Sequence, residues 1–336
     1  MSPHYISLIL ALLSGPPALA GDKPVSPIPP ASGLDSRKVE LGALIYHDIR
    51  LSDSGRIACA SCHDLNRGGT NWSPLSHDSK GNVRKRNTPS TFNTSLNFHL
   101  HWDGRFSELE PEALNGIISI HGLDTPLANF LQALREHPQY PKRFAERYAD
   151  GITKDNLADA LATFERSLVT PDSPFDRYLL GDKKALSRDA RDGYRLFKQY
   201  GCISCHQGVN LGGNLFARIG IATPIPPNSL AARDLGRFGV TGRKRDKHVF
   251  RVPSLRNVAV TPPYLHNGSI ATLDETIRLM GLFQLGRKIP AADRQKIKAF
   301  LHGLTGKYQG KTLQAPPSAD SELTIRSHTR LAPEAK

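Results

Sequence analysis

The sequence predicts a mainly α-helical chain of two tandem units with long loops and little β. Three observations predict it. The chain has 336 residues, more than one domain usually holds, and 39% of them are hydrophobic, enough for two cores. A five-residue pattern occurs twice, as CASCH at 59–63 and CISCH at 202–206, and takes up all four cysteines. Each copy is flanked by segments of helical periodicity, while strand signals are few.

In chain order, residues 1–20 read as a secretory signal, with an apolar run from Ile6 to Leu13, a Gly-Pro-Pro break and Ala-Leu-Ala before the expected cleavage point. The run is too short to span a bilayer, and no other segment approaches that length, so the mature chain is expected to have no membrane span and to be periplasmic. VELGALIYHDIRLS (39–52) and ARDGYRLFKQYG (190–201) read as amphipathic helices that deliver the chain to each motif. Behind the motifs, DNLADALATFERSLV places Leu157, Leu161, Phe164 and Leu168 on one helical face, and AADRQKIKAFLHGL does the same with Ile297, Phe300, Leu301 and Leu304. Thr153 or Asp155 opens the first of these. The stretch 169–187 reads as a linker, and the Gly- and Pro-rich stretch 208–269 as long loop with a short hairpin. The expected units are therefore 21–175 and 176–305, followed by an extended tail over 306–336.

Two readings of the repeated pattern fail on chemistry. A four-thiolate zinc site sets its pairs about 15 to 20 residues apart, far closer than positions 59 and 202. A redox dithiol needs no His directly behind its second Cys, and His63 and His206 both stand there. Cys-x-x-Cys-His is instead the pattern of c-type haem attachment. Cysteines three apart on a helical turn form thioethers to two vinyl groups, and the adjacent His reaches the iron. The sequence thus predicts two covalently bound haem c groups in two cytochrome c-like units. Haem one would sit on Cys59, Cys62 and His63, and haem two on Cys202, Cys205 and His206.

The sixth position of each iron decides between electron transfer and chemistry on a small molecule. Met280, in RLMGLFQLGR, is the mature chain's single methionine. On its own it reads as core packing; beside a second haem it reads as a ligand that raises the potential and makes haem two an electron store. For haem one the candidates are His77, in NWSPLSHDSKGN, and behind it His99 and His101; His77 reads equally as an exposed loop residue. The formal charge of +13 belongs to the mature chain and reads as a solvated positive surface or as a dock for an acidic electron donor. The basic residues are dispersed and no nucleic-acid motif occurs, so nucleic acid is not an expected partner.

Further runs carry a family resemblance: LGALIYHDIRLSDSGRIACASCHDL, RNTPSTFN, WDGR, ALATFERSLVTPDSPFDRYLLGD, GCISCHQGVNLGG, DLGRFGVTG, FRVPSLRNVAVTPPYLHNGS and LMGLFQLG. Spread over about 36 to 305, they resemble the bacterial di-haem cytochrome c peroxidases, within the wider group that includes the MauG-type enzymes. The resemblance implies that haem one is the low-potential peroxidatic group, with His77 as its ligand in the resting oxidised form. It implies that haem two is the high-potential entry point for electrons, with Met280 distal. Trp102 matches the tryptophan between the haems. Asn87 by its side chain, with the carbonyls of Thr261 and Pro263, matches a calcium site at the interface, chemistry that suits a hard cation. Hydrogen peroxide is the implied substrate, a small c-type cytochrome or cupredoxin the implied donor, and a homodimer the implied assembly; the tail is implied to return to the first unit.

One stretch departs from the pattern. The family usually carries Gln ten residues and Glu twenty residues beyond that tryptophan, where this chain has Glu112 and Gly122. Peroxide cleavage needs a group that takes a proton from one oxygen and returns it to the other. Glu112 and His121 are the candidates, with loop decoration the alternative for both. The departure also keeps two rival functions in view: a MauG-like oxidase acting on a protein partner, although MauG carries Tyr where this chain has Met280, and a non-catalytic electron carrier.

Overall fold

The computed structural model describes residues 24–52, 54–78, 80–120, 127–226, 229 and 233–317. The expected signal at 1–20, both His121 and Gly122, and the tail beyond 317 lie outside the described residues. The helices of the first half are α1 (Ser36–His47), α2 (Cys59–Cys62), α3 (Leu109–Ile120), α4 (Leu127–Glu136), α5 (Tyr140–Ala145) and α6 (Lys154–Ser167). Those of the second half are α7 (Pro174–Leu179), α8 (Arg188–Gln199), α9 (Phe238–Thr241), α10 (Leu273–Leu285) and α11 (Ala291–His302). Among the described residues the strands form two small antiparallel pairs: β1 (Phe216–Arg218) with β2 (Val249–Arg251), and β3 (Lys307–Tyr308) with β4 (Lys311–Thr312).

Each half is built on one helix crossing. Asp35 caps α1 by accepting the Arg37 and Lys38 N–H groups, and Thr153 caps α6 by accepting the Asn156 N–H. α1 lies across α6 at Gly42, where an added Cβ would meet the Ala160 carbonyl oxygen at 2.1 Å. In the second half α8, capped by Ser187, lies across α11 at Gly193, where a Cβ would meet the Lys296 carbonyl oxygen at 1.9 Å. Only a residue without a side chain lets the backbones approach that closely.

The periodic apolar residues sit at these crossings. Leu157, Leu161, Phe164 and Leu168 are buried in a first cluster with Leu41, Ile45 and Tyr46. Ile297, Phe300, Leu301 and Leu304 are buried in a second with Leu196 and Phe197. Burial of each large side chain is worth about 1.5–3 kcal/mol.

Three segments differ from the simple tandem picture. The stretch read as a linker contains α7, closed by a capping box between Ser173 and Asp176, and its Phe175 is fully buried in the second cluster. Asp176 pairs with Arg256 at 2.9 Å and accepts the Ile28 N–H, while Arg256 also donates to the Ser26 carbonyl. Residues 24–28 are thereby laid over the second cluster, which takes in Val25. Finally, beyond Leu304 the chain folds back on the first cluster through Tyr308 and Leu313. The hairpin expected within 208–269 is β1 with β2, which joins segments about thirty residues apart, and Ala217 and Phe250 on its two strands line the cavity around the second motif.

Candidate haem sites

The two motifs are held alike. Cys59–Cys62 forms the short α2, and Cys202–Ser204 a 3₁₀ turn, so each pair of thiols sits one turn apart. His63 donates from Nδ1 to the Gly69 carbonyl at 3.3 Å, with the Pro89 carbonyl alongside. His206 donates from Nδ1 to the Leu211 carbonyl at 3.1 Å, with the Pro253 carbonyl alongside. A backbone acceptor on Nδ1 fixes the tautomer and leaves Nε2 for a metal. Burial lowers the pKa of both rings, that of His206 to about 4, which keeps each imidazole in the neutral form that ligates iron. Burial, aided by Glu165 and Glu112, pushes the Cys59 thiol up to about 12, and burial pushes Cys202 to about 11, so all the charge is kept off these sulfurs.

Around the second motif lies a cavity of about 440 Å³, walled by Cys202, Cys205, His206 and Met280 together with Trp102, Arg251 and Phe250. Met280 comes from α10, whose N-terminus is capped by Thr272, and reaches the cavity that also receives His206. Arg251 tests what the cavity is built for. It is 5% exposed, donates from Nε to the His101 carbonyl at 3.1 Å, and among the described residues leaves Nη1 buried without a hydrogen-bond partner. Burial drives its pKa down to about 10. A buried guanidinium with no anion is costly, and the carboxylates that a haem carries are the chemistry it lacks. The residues present therefore fit the group.

Asn87, Thr261 and Pro263 line the same cavity. Asn87 spends its amide hydrogens on the Ser73 and Pro74 carbonyls, at 3.0 and 3.2 Å, which turns Oδ1 away as an acceptor. Among the described hydrogen bonds, none ends on that oxygen or on the Thr261 and Pro263 carbonyls. Three neutral oxygens without donors are a donor set suited to calcium. Trp102 donates from Nε1 to the Asn87 carbonyl at 2.9 Å, and its ring lies 6.3 Å from that of His266, edge to face.

The first site is chemically different. Glu112 stands on the first turn of α3, on a helix and not on a loop, where the helix dipole favours a negative charge. Its Oε1 is 3.0 Å from His101 Nε2, and its charge acts on His63. Glu165 of α6 faces the same group; burial first, and the Glu112 charge second, raise its pKa well above the carboxylate range. His77 is exposed, bridged by backbone to Val83, and lines neither the small cavity beside Cys59 nor the larger one. His99 packs on Phe216 and pairs with the Phe106 carbonyl.

Sequence reasoning missed Arg251, the His101–Glu112 pair and a second internal repeat. PSTFN at 89–93 and PSLRN at 253–257 put Pro89 and Pro253 beside the two histidines, and put Asn93 and Asn257, both left-handed, on the Thr170 hydroxyl between the units. A search for self-similarity beyond the cysteines would have found it.

Two c-type motifs with neutral, carbonyl-held histidines define a di-haem protein of the cytochrome c type. The family model described as di-haem cytochrome c peroxidase matches residues 36–184. Cytochrome c551 peroxidase of Nitrosomonas europaea is 37% identical over 96% of both chains. Cytochrome c peroxidase Ccp of Escherichia coli is 41% identical over 85% of this chain, which spans 62% of that protein's length. A crystal structure of a MauG-like protein associated with microbial copper homeostasis superposes with a TM-score of 0.72 at 26% identity, covering 88% of this chain and 96% of the other. The chain belongs to the di-haem cytochrome c peroxidase family, and it is an oxidoreductase of the peroxidase type. Among the described residues, no helix is long and apolar enough to cross a membrane.

Proposed function

We propose that the chain reduces hydrogen peroxide to water in the periplasm with electrons from a small c-type cytochrome or cupredoxin. The observation that carries this reading is the single cavity shared by Cys202, Cys205, His206, Met280 and Trp102, one residue along the chain from the His101–Glu112 pair. Bound haem would supply one-electron chemistry and an open coordination position for peroxide. In the second unit, over 176–305, Cys202, Cys205 and His206 would hold one haem with Met280 opposite. In the first, over 21–175, Cys59, Cys62 and His63 would hold the other, with His77 as its resting ligand, released when the second site is reduced. His77 suits that role because it is exposed and outside both apolar clusters. Trp102 bridges the units, Asn87, Thr261 and Pro263 hold calcium beside it, and Glu112, with His121, serves the peroxide proton. A homodimer is the expected assembly.

The test is steady-state peroxide reduction by the holoprotein with calcium, a reduced small donor and the second site reduced beforehand. The expected result is two donors oxidised per peroxide at about 1–10³ s⁻¹. Turnover slower than about one per minute, from protein whose first haem binds carbon monoxide, sinks this reading. It would favour instead an oxidase acting on a protein partner, the reading to which the Glu112 and Gly122 departure and the MauG-like neighbour lean.

A further inference from the structure

We propose that His101 is the positioning residue of the peroxide site: its ring N–H holds one oxygen of Glu112, so that the other exchanges protons with peroxide. The inference rests on the peroxidase reading above and adds a residue to it. Four observations carry it.

His101 Nε2 and Glu112 Oε1 are 3.0 Å apart, both side chains half-buried. Among the described residues Glu112 has no Arg or Lys ion pair and meets His101, whereas Glu110 pairs with Arg166 at 2.7 Å and burial raises the pKa of Glu165 well above the carboxylate range. His101 also has a left-handed backbone, φ 62°, an unfavourable conformation for a residue with a Cβ. That backbone is pinned by Arg251 Nε at 3.1 Å and by the Gly104 N–H at 3.3 Å, both donating to the His101 carbonyl. The consequence is that consecutive residues face different sites: His101 turns to Glu112, and Trp102 to the cavity of the second motif. Gly122 carries no group that can move a proton, so the chain needs another source.

The proton balance is closed by this pair. Glu112 takes the proton from one peroxide oxygen and gives it to the other, which leaves as water when the O–O bond breaks. The remaining oxygen takes two electrons from the donor protein by way of the haems and two protons from solvent, and leaves as the second water. His101 keeps its own proton throughout, so that Glu112 always presents the same oxygen.

Hydrogen cyanide is a probe of the pair, because it must lose a proton to bind the ferric iron; carbon monoxide, on fully reduced protein, need not. His101→Asn keeps a residue that tolerates the left-handed backbone but is too short to reach Glu112. His101→Gln keeps an N–H donor at full reach. In the two-haem holoprotein with the second site reduced, His101→Asn and Glu112→Gln are expected to slow cyanide association at least about tenfold. His101→Gln should stay within about threefold of native, and carbon monoxide association should be unchanged in all of them. Native-like cyanide binding by His101→Asn, or His101→Gln as slow as His101→Asn, overturns the role of His101 and leaves the peroxidase reading intact. Failure of native protein to bind carbon monoxide overturns that reading, and this inference with it, because no open iron would then stand before the pair.

Discussion

The two halves share a frame and differ in what surrounds each motif. Gly42 and Gly193 allow the same helix crossing, Gly69 and Leu211 hold the same histidine nitrogen, and Pro89 and Pro253 lie beside the same rings. Beyond that frame, α10 brings the thioether of Met280 to an apolar cavity around the second motif, while α3 carries the carboxylate of Glu112 with an imidazole partner near the first. A soft sulfur ligand stabilises reduced iron and closes its sixth position; a hydrogen-bonded acid leaves that position to a substrate and serves its protons. On the proposed function, division of labour would come from the helix that faces each haem and not from the attachment motif.

The strongest way to break the comparison is to remove the thioether proposed as the ligand that distinguishes the second half. Met280→Leu is expected to lower the potential of haem two by a sizeable part of the roughly 0.8 V over which axial ligands act. It should also abolish activation by pre-reduction, as read by redox titration and by peroxide turnover. Normal activation in this variant would show that the halves do not differ in the way the distal ligands imply.

A smaller effect tests the shared frame. Gly193→Ala and Gly42→Ala should each cost about 1–3 kcal/mol or more, because a Cβ cannot enter either crossing without moving the helices apart. In thermal melts, Gly193→Ala should lose its methionine-ligated haem spectrum at a lower temperature than native, with the first site following later. Gly42→Ala should reverse the order. If both variants lost both spectra together, the halves would be one cooperative unit.

The smallest effect lies at the seam. Arg86 pairs with Asp103 at 2.5 Å and with Asp234 at 2.6 Å, which ties a first-half loop to a second-half loop. Burial alone would raise the pKa of Asp103, but Arg105 and Arg86 outweigh it and hold the carboxyl at about 2. Its folded pKa lies below the unfolded value of about 3.9. The stabilisation is therefore present above about pH 4 and lost as pH falls through about 2, at most about 2 kcal/mol. Asp103→Asn should be less stable than native at neutral pH and lose less on acidification over that window, as read from denaturant midpoints. An unchanged acid limb would mean that the seam does not control acid stability.

Much of this was legible in the sequence, because covalent haem chemistry demands fixed local spacing. Cys59, Cys62 and His63, and their counterparts at 202–206, lie within one turn, so five letters suffice to name them. The helices at each crossing were legible for the same reason: their apolar spacing is local, and Leu157 to Leu168 and Ile297 to Leu304 are buried as the period requires. What tertiary structure alone decided is which distant groups meet. Met280 is readable as a ligand candidate only through context and resemblance, since 74 residues separate it from His206 and its own helix would bury a methionine equally well; the fold brings both to one cavity. His101 was read as a minor ligand candidate and Glu112 as a candidate with a loop alternative. Their pairing depends on a left-handed turn pinned by Arg251, 150 positions away. The stretch around α7 reads as a linker because its prolines and glycine are turn signals, but Phe175 packs into the second cluster and Asp176 pairs with Arg256, contacts that no local pattern announces. The sequence specifies contacts one turn apart through backbone geometry. Contacts between remote segments follow only from how the helices pack, and in this protein those contacts separate the two haem environments.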